Sequence, residues 1–133
     1  MKYYPHFLLT LVCLAAVFYL SFFRPSELPL AGVPLIDKWT HVVMYFGLTL
    51  VFWFDYHLYS ARRARFASDV LLFCGFVLPV VLGGVIEIAQ AHWTGGWRSG
   101  EMADFAADTL GSLLGFVLGR GPLAWLLTRL RFV

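Results

Sequence analysis

Four long apolar runs, separated by short polar stretches, constrain what this chain can fold into. They cover residues 7–23, 35–54, 70–91 and 103–119. A helix needs about 20 mostly apolar residues to cross a bilayer. Only 14% of the residues are charged and the mean hydropathy is +0.75, whereas soluble domains have about 25% charged residues. The sequence therefore predicts an all-α membrane protein, with residues 1–133 forming one domain built as a bundle of four transmembrane helices.

Prolines and glycines mark the expected ends of these spans. Pro34 is well placed to open the second helix, and Gly121 with Pro122 is expected to end the fourth. The tail after Pro122 mixes apolar residues with arginines, which favours a short amphipathic helix in the plane of the membrane interface. The basic start of the chain resembles a signal peptide, but no small-residue cleavage site follows, which favours an uncleaved first span. Cys13 and Cys74 lie inside apolar runs and are expected to be free.

The distribution of lysine and arginine predicts the orientation of the bundle. Basic residues concentrate on one side, which the positive-inside rule assigns to the cytoplasm, so both termini are expected there. The predicted location is the cytoplasmic membrane of a bacterium. The net charge of only +2 gives no reason to expect a nucleic-acid partner. The cytoplasmic group comprises Lys2, Arg62, Arg63, Arg65, Arg120, Arg129 and Arg131, whereas Arg24, Lys38 and Arg98 lie on the outer side.

Polar residues recur near the outer ends of three spans. Asp37, His41 and Tyr45 follow an i, i+4, i+8 spacing, which puts them on one face of the second helix. Because a charge inside the hydrocarbon costs of order 3 kcal/mol at a helix centre, such residues are expected to face one another or a wet cavity. The predicted cluster also includes Lys38 on the second span, Glu87 and Gln90 on the third, and Asp104 and Asp108 on the fourth.

Simpler explanations apply to several of these residues. Asp104 could complement the dipole at a helix N-terminus, Asp37 and Lys38 could be ordinary interfacial charges, and Tyr45 could be a packing residue. The ridge Gly111, Gly115 and Gly119 allows close approach of another helix, either within the chain, with Gly83 and Gly84 as a receiving surface, or between two copies.

The ordered set DKWTH with Tyr45, then EIAQ, Arg98 and DFAADTLGSLLG, resembles the VanZ family of small bacterial membrane proteins. The resemblance extends from about Asp37 to Gly119. Asp108 stands where the family usually has asparagine. The resemblance implies a cell-envelope role and a link to tolerance of glycopeptides of the teicoplanin type. The family's biochemical activity is unknown. The matching positions are Asp37, Lys38, His41, Tyr45, Glu87, Gln90, Arg98, Asp104, Gly111 and Gly115.

Two classes of function follow from the predicted site. In the first, an enzyme acts on an envelope or lipid-linked substrate from the outer leaflet, and the expected partners are membrane lipid and a lipid-linked envelope precursor or a glycopeptide. Glu87 is then the candidate acid or base and His41 relays a proton or holds Glu87, with Asp37, Asp104 and Asp108 as further catalytic candidates. Lys38 and Arg98 bind a phosphate or carboxylate head group, with Gln90 and Tyr45 as further substrate-binding candidates.

A variant of the enzyme hypothesis places a divalent metal, Zn²⁺ or Mn²⁺, on His41, Glu87, Asp104 and Asp108. No H-x-x-x-H or C-x-x-C motif accompanies these residues. In the second class, the protein is a non-enzymatic binding or interaction protein that recognises a lipid, a peptide or a partner helix, and the polar cluster is structural. A transmembrane proton pathway is less favoured, because the inner half of the bundle has few ionisable residues.

Overall fold

The computed structural model describes residues 5–22, 35–95 and 101–133, and every regular element in these ranges is a helix. The helices are α1 (Leu8–Phe22), α2 (Ile36–Ser60), α3 (Ser68–Trp93) and α4 (Met102–Arg129). Three of them, α2, α3 and α4, are long and apolar enough to cross a membrane, and α1 is a shorter apolar helix. The all-α prediction is therefore confirmed for the described residues.

Two helices extend beyond the predicted membrane spans. The second span was predicted to run to about Phe54, and α2 continues to Ser60 without a proline or a glycine near that point. The prediction that Gly121 and Pro122 break the fourth helix is wrong, because α4 continues through Pro122 to Arg129. The predicted separate interfacial helix is therefore the last part of α4.

Proline does not break α4 because it lies within a π-helical turn, Gly119–Leu123. A wider turn relieves the contact between the proline ring and the preceding turn, and neighbouring helices can satisfy the carbonyls that the turn leaves open. Here Nε2 of His57 lies 2.8 Å from the carbonyl oxygen of Gly119. His57, which looked unremarkable in the sequence, therefore supports the backbone of α4 from α2.

The bundle is organised around α2, which packs most extensively against α4 and also contacts α1. Although they are not consecutive, α2 and α4 run parallel. A Cβ atom added at Gly111 would lie 2.3 Å from the carbonyl oxygen of Val42, and one added at Gly115 would lie 2.8 Å from that of Phe46. The glycine ridge therefore packs within the chain, as expected, but its partner is α2.

The predicted receiving surface on α3 has a different role. A Cβ atom added at Gly83 would lie 2.8 Å from Oδ2 of Asp108, and one added at Gly84 would lie 3.3 Å from the ring of Phe105. These two glycines therefore accept side chains of α4, on a face other than its glycine ridge. The result is a close antiparallel contact of α3 with α4 beside the polar residues.

The N-terminus of α1 is attached to α2 by a buried carboxylate. Oδ2 of Asp55 accepts hydrogen bonds from both the backbone N–H and the hydroxyl of Thr10, each at 2.8 Å. The first N–H groups of a helix lack acceptors within the helix. Asp55 on α2 is the acceptor for one of them, a role that a capping residue just before the helix normally has. This contact holds α1 antiparallel to α2.

Apolar residues complete the bundle in two buried clusters. The first contains Val17, Tyr45, Leu48 and Ile86, and the second contains Phe52, Trp53 and Tyr56. Cys13 packs against the first and Cys74 against the second, and both thiols are free, as predicted. The outward faces remain apolar: exposed side chains include Leu11, Val12, Val81, Val85 and Ile88. Such faces suit contact with lipid.

Candidate functional site

The polar residues singled out in the sequence converge at one end of the bundle. We call one buried histidine and three buried carboxylates, His41, Glu87, Asp104 and Asp108, the His41 cluster; each is at most 5% exposed. They come from α2, α3 and α4. His41, Glu87 and Asp108 each lie roughly 7–9 Å along the axis from the nearer end of their helix. Three helices therefore place these side chains at similar distances from their ends.

His41 is at the centre of the cluster. Its Nδ1 atom lies 2.7 Å from Oδ1 of Asp108 and 3.8 Å from Oε1 of Glu87. Its Nε2 atom lies 3.9 Å from Oδ2 of Asp104. The carboxylate of Asp108 thus orients the ring, and the other nitrogen faces a second carboxylate. This is the arrangement of a histidine prepared to exchange a proton or to bind a cation.

Glu87 is held through one oxygen and left open at the other. Its Oε2 atom accepts a hydrogen bond of 3.1 Å from the backbone N–H of Glu101. Its Oε1 atom faces His41 and has no hydrogen-bond partner among the described residues; the same is true of Oδ2 of Asp108. Buried carboxylate oxygens without a donor are costly, so these two atoms mark where a proton or a ligand belongs.

Lys38 lies at the exposed edge of the His41 cluster. Its ammonium group pairs with Asp104 and lies 2.6 Å from Oε2 of Glu101 and 3.5 Å from Oδ2 of Asp37. Glu101, just before α4, was not among the site residues predicted from the sequence. It contributes both a carboxylate to Lys38 and a backbone N–H to Glu87. Only the folded chain shows this double contact, because Glu101 looks like an ordinary loop acid.

The other predicted residues have different surroundings. Nε2 of Gln90 donates a hydrogen bond of 2.7 Å to the carbonyl oxygen of Ser21, so this amide joins α3 to the end of α1. Tyr45 is buried in the first apolar cluster, with Val17 and Ile86, and its hydroxyl has no partner among the described residues. Asp37 is exposed at the start of α2. Arg98 lies outside the described residues.

Buried hydroxyl groups extend below the His41 cluster. Tyr45 and Thr49 continue the i+4 series of His41 along α2, and Ser112 follows Asp108 by one turn on α4. None of the three hydroxyls has a hydrogen-bond partner among the described residues. Thr49 and Ser112 were missed in the sequence, although extending the i+4 spacing by one further step would have found them. The polar face is therefore longer than predicted.

Cavities lie at the opposite end of the bundle. One of about 420 Å³ is lined by Tyr56, His57 and Arg65 among others, and one of about 380 Å³ by Trp53, Asp69 and Arg120 among others. None of the predicted site residues lines either cavity. Their volumes are within the range of small-molecule pockets, but the His41 cluster lies at the other end of the bundle.

The chain is similar to an uncharacterized protein of Schizosaccharomyces pombe, with 34% identity over 91 residues. The match covers 68% of this chain and 50% of the yeast protein, so the chain spans about half the length of the curated relative that it matches. No family model and no solved structure matches the chain. The resemblance to the VanZ family therefore depends on the residue pattern alone.

Proposed function

We propose that this protein is an integral membrane protein of the VanZ-like type that binds a lipid-linked or other envelope substrate at the His41 cluster and acts on it by acid–base chemistry. One observation supports this most: three helices bury a histidine and carboxylates at one end of the bundle, and two carboxylate oxygens there lack partners among the described residues. A network that served only packing would be expected to satisfy its buried polar atoms.

The chemistry assigned to each residue follows from its contacts. Glu87 is the proton acceptor or donor, because Oε2 is fixed by the N–H of Glu101 and Oε1 is open. Nδ1 of His41 is held by Asp108 at 2.7 Å and faces Oε1 of Glu87 at 3.8 Å, so a proton passes between His41 and Glu87 only when these two side chains approach to hydrogen-bond distance. General acid–base catalysis needs such groups within reach of each other and of the substrate.

Lys38 is the substrate-binding group in this proposal. It lies on the outer side of the cluster with a quarter of its side chain exposed. An ammonium group with exposed carboxylate partners exchanges them at low cost, so the phosphate of a lipid-linked substrate would compete with Glu101 for Lys38. Arg98 is proposed as a second anion-binding residue from its place in the sequence.

The proposal includes the orientation of the protein. The arginine-rich ends of α2, α3 and α4 are assigned to the cytoplasm, with both termini, and the His41 cluster to the outer side of a bacterial cytoplasmic membrane. The arginines support this assignment through the positive-inside rule. Because the matched relative is a yeast protein, the chemistry of the cluster carries more weight in this proposal than glycopeptide tolerance does.

The test compares Glu87→Gln and Asp108→Asn with wild type and with Asp55→Asn, which changes an equally buried carboxylate at the other end of the bundle. Each protein is first checked for membrane level and thermal unfolding. Binding of a polyprenyl phosphate to the purified protein in detergent is then measured, together with cell growth under teicoplanin.

Loss of binding or of tolerance in the two cluster variants, with normal folding and an unaffected control, supports the proposal. Normal folding with unchanged binding and unchanged tolerance in both variants contradicts it. Loss of the fold in both cluster variants, with Asp55→Asn folded, would instead favour the non-enzymatic alternative, in which the cluster is a structural network.

A further inference from the structure

We propose that His41, Glu87 and Asp108 form a binding site for one divalent cation, of the kind that accepts mixed imidazole and carboxylate ligands, such as Zn²⁺ or Mn²⁺. The ligand atoms are Nδ1 of His41, Oε1 of Glu87 and an oxygen of Asp108. The geometry and charge of these three residues support the site whatever the substrate is, and while the ion is bound Oε1 of Glu87 is a metal ligand and not a free acid or base.

The distances between the ligand atoms suit a single ion. Zinc binds histidine nitrogen and carboxylate oxygen at about 2.0–2.2 Å, so two ligands of one ion lie roughly 3–4 Å apart. Nδ1 of His41 lies 3.8 Å from Oε1 of Glu87 and 2.7 Å from Oδ1 of Asp108. One ligand atom from each residue lies within 4.8 Å of the others. An ion bound here would replace the hydrogen bond between Nδ1 of His41 and Oδ1 of Asp108 and move these two atoms apart to the roughly 3–4 Å that ligands of one ion require.

The charge at this end of the bundle favours a cation. Within the described residues it contains five carboxyl groups and one ammonium group, that of Lys38, which already pairs with Asp104 and Glu101. In the part of the chain that the structure describes, no ammonium group pairs with Glu87 or Asp108, and each has one buried oxygen without a partner. A divalent cation between them would satisfy both oxygens and offset the cost of burying two carboxylates.

A second set of residues, Asp37, His41 and Asp104, also brings three ligand atoms together. It is the weaker candidate because Asp37 is exposed and the carboxylate of Asp104 is already paired with Lys38. In the first set, by contrast, a neighbouring backbone group fixes the orientation of one ligand. The N–H of Glu101 fixes Oε2 of Glu87, so Oε1 is directed toward His41. Such outer contacts orient metal ligands.

The ligand types indicate the class of metal. Imidazole nitrogen suits Zn²⁺ and other transition metals, and carboxylates alone suit Mg²⁺ and Ca²⁺. One imidazole with two carboxylates from three different helices therefore favours Zn²⁺ or Mn²⁺ over Mg²⁺. A bound ion would also link α2, α3 and α4 at their outer ends and stabilise the folded bundle.

The experiment titrates Mn²⁺, Zn²⁺ and Mg²⁺ into the full chain, purified in detergent and stripped of metal by a chelator, with calorimetric detection. We expect one equivalent of Mn²⁺ or Zn²⁺ to bind saturably and more tightly than Mg²⁺. Glu87→Gln and Asp108→Asn should each weaken binding by about tenfold or more, since removal even of groups outside the ligand set costs 10–100-fold. Asp55→Asn, with its equally buried carboxylate far from the cluster, should bind as wild type does.

Two further measurements keep the proposal testable if the ligand variants do not fold. Gly83→Ala places a methyl group against Oδ2 of Asp108 and should weaken binding, whereas Gly84→Ala, which contacts the ring of Phe105, should not. In the wild type, the electron spin echo signal of bound Mn²⁺ should show coupling to an imidazole nitrogen.

Absence of saturable binding to the wild type, absence of the nitrogen coupling, or equal affinity of folded Glu87→Gln would overturn the metal site. None of these results bears on polyprenyl phosphate binding to the metal-free protein. Failure of the metal site and failure of the proposed function are therefore distinguishable.

Discussion

Gly111 of α4 lies so close to Val42 of α2 that a Cβ atom on the glycine would come within 2.3 Å of the valine carbonyl oxygen. The atom that would be struck belongs to a helix backbone, so it cannot rotate away. This contact sets the distance between α2 and α4, the two helices that bring His41 and Asp108 together. The site therefore requires a residue without a side chain at position 111, one turn after Asp108 on α4.

Gly111→Ala should destabilise the protein by about 1–3 kcal/mol, or more, because the helices must separate to admit the methyl group. Gly47→Ala is the matched control, since a Cβ atom there has nothing within 4 Å and alanine favours a helix over glycine by about 1 kcal/mol. Unfolding of both variants in detergent measures the difference. Equal stability of the two variants would show that the close contact is not required.

Asp55→Ala should loosen the start of α1, because Thr10 loses the acceptor of both its N–H and its hydroxyl. Loss of a helix cap typically costs about 0.5–2 kcal/mol. Hydrogen exchange at the first turn of α1 should accelerate, whereas Asp69→Ala, which changes an exposed carboxylate, should leave it unchanged. Unaltered exchange in Asp55→Ala would mean that apolar packing alone holds α1.

Lys38→Met should cost about 2 kcal/mol or more, because it leaves the carboxylate of Asp104 buried without its ammonium partner. Adding Asp104→Leu should recover much of the loss, since removing both charges removes the cost of burying one of them. Thermal unfolding of the two single variants and the double variant gives the coupling between the residues. Strictly additive losses would argue against a direct interaction of Lys38 with Asp104.

Trp93→Cys should react with a membrane-impermeant maleimide added to intact cells, and Ala61→Cys should react only after the membrane is opened. Both positions are exposed: Trp93 is the last residue of α3, and Ala61 directly follows α2 at the opposite end of the bundle. Cys13 and Cys74 are replaced by alanine beforehand. Arginines concentrate at the Ala61 end of the bundle, which the positive-inside rule assigns to the cytoplasm. Reversed labelling would place the His41 cluster on the cytoplasmic side and contradict the proposed outward-facing site.

Local properties of the chain were readable in the sequence. Hydropathy and charge are properties of each segment on its own. The helical class, the approximate positions of the apolar segments and the polar residues near three helix ends could therefore be predicted from the sequence. The i, i+4 spacing placed Asp37, His41 and Tyr45 on one face of α2, because helical periodicity needs no partner. The two cysteines were correctly expected to be free.

Relations between distant segments were decided only by the tertiary structure. The partner of the Gly111 ridge, the attachment of α1 by Asp55 and the double contact of Glu101 each join residues far apart in the chain, and local periodicity carries no information about which helix faces which. Pro122 was expected to end α4, but a π-helical turn and His57 of a neighbouring helix accommodate it. The sequence by itself therefore determined which side chains are polar and how far each lies from the end of its apolar segment. Only the packing of α2 against α4 decided that His41 and Asp108 meet.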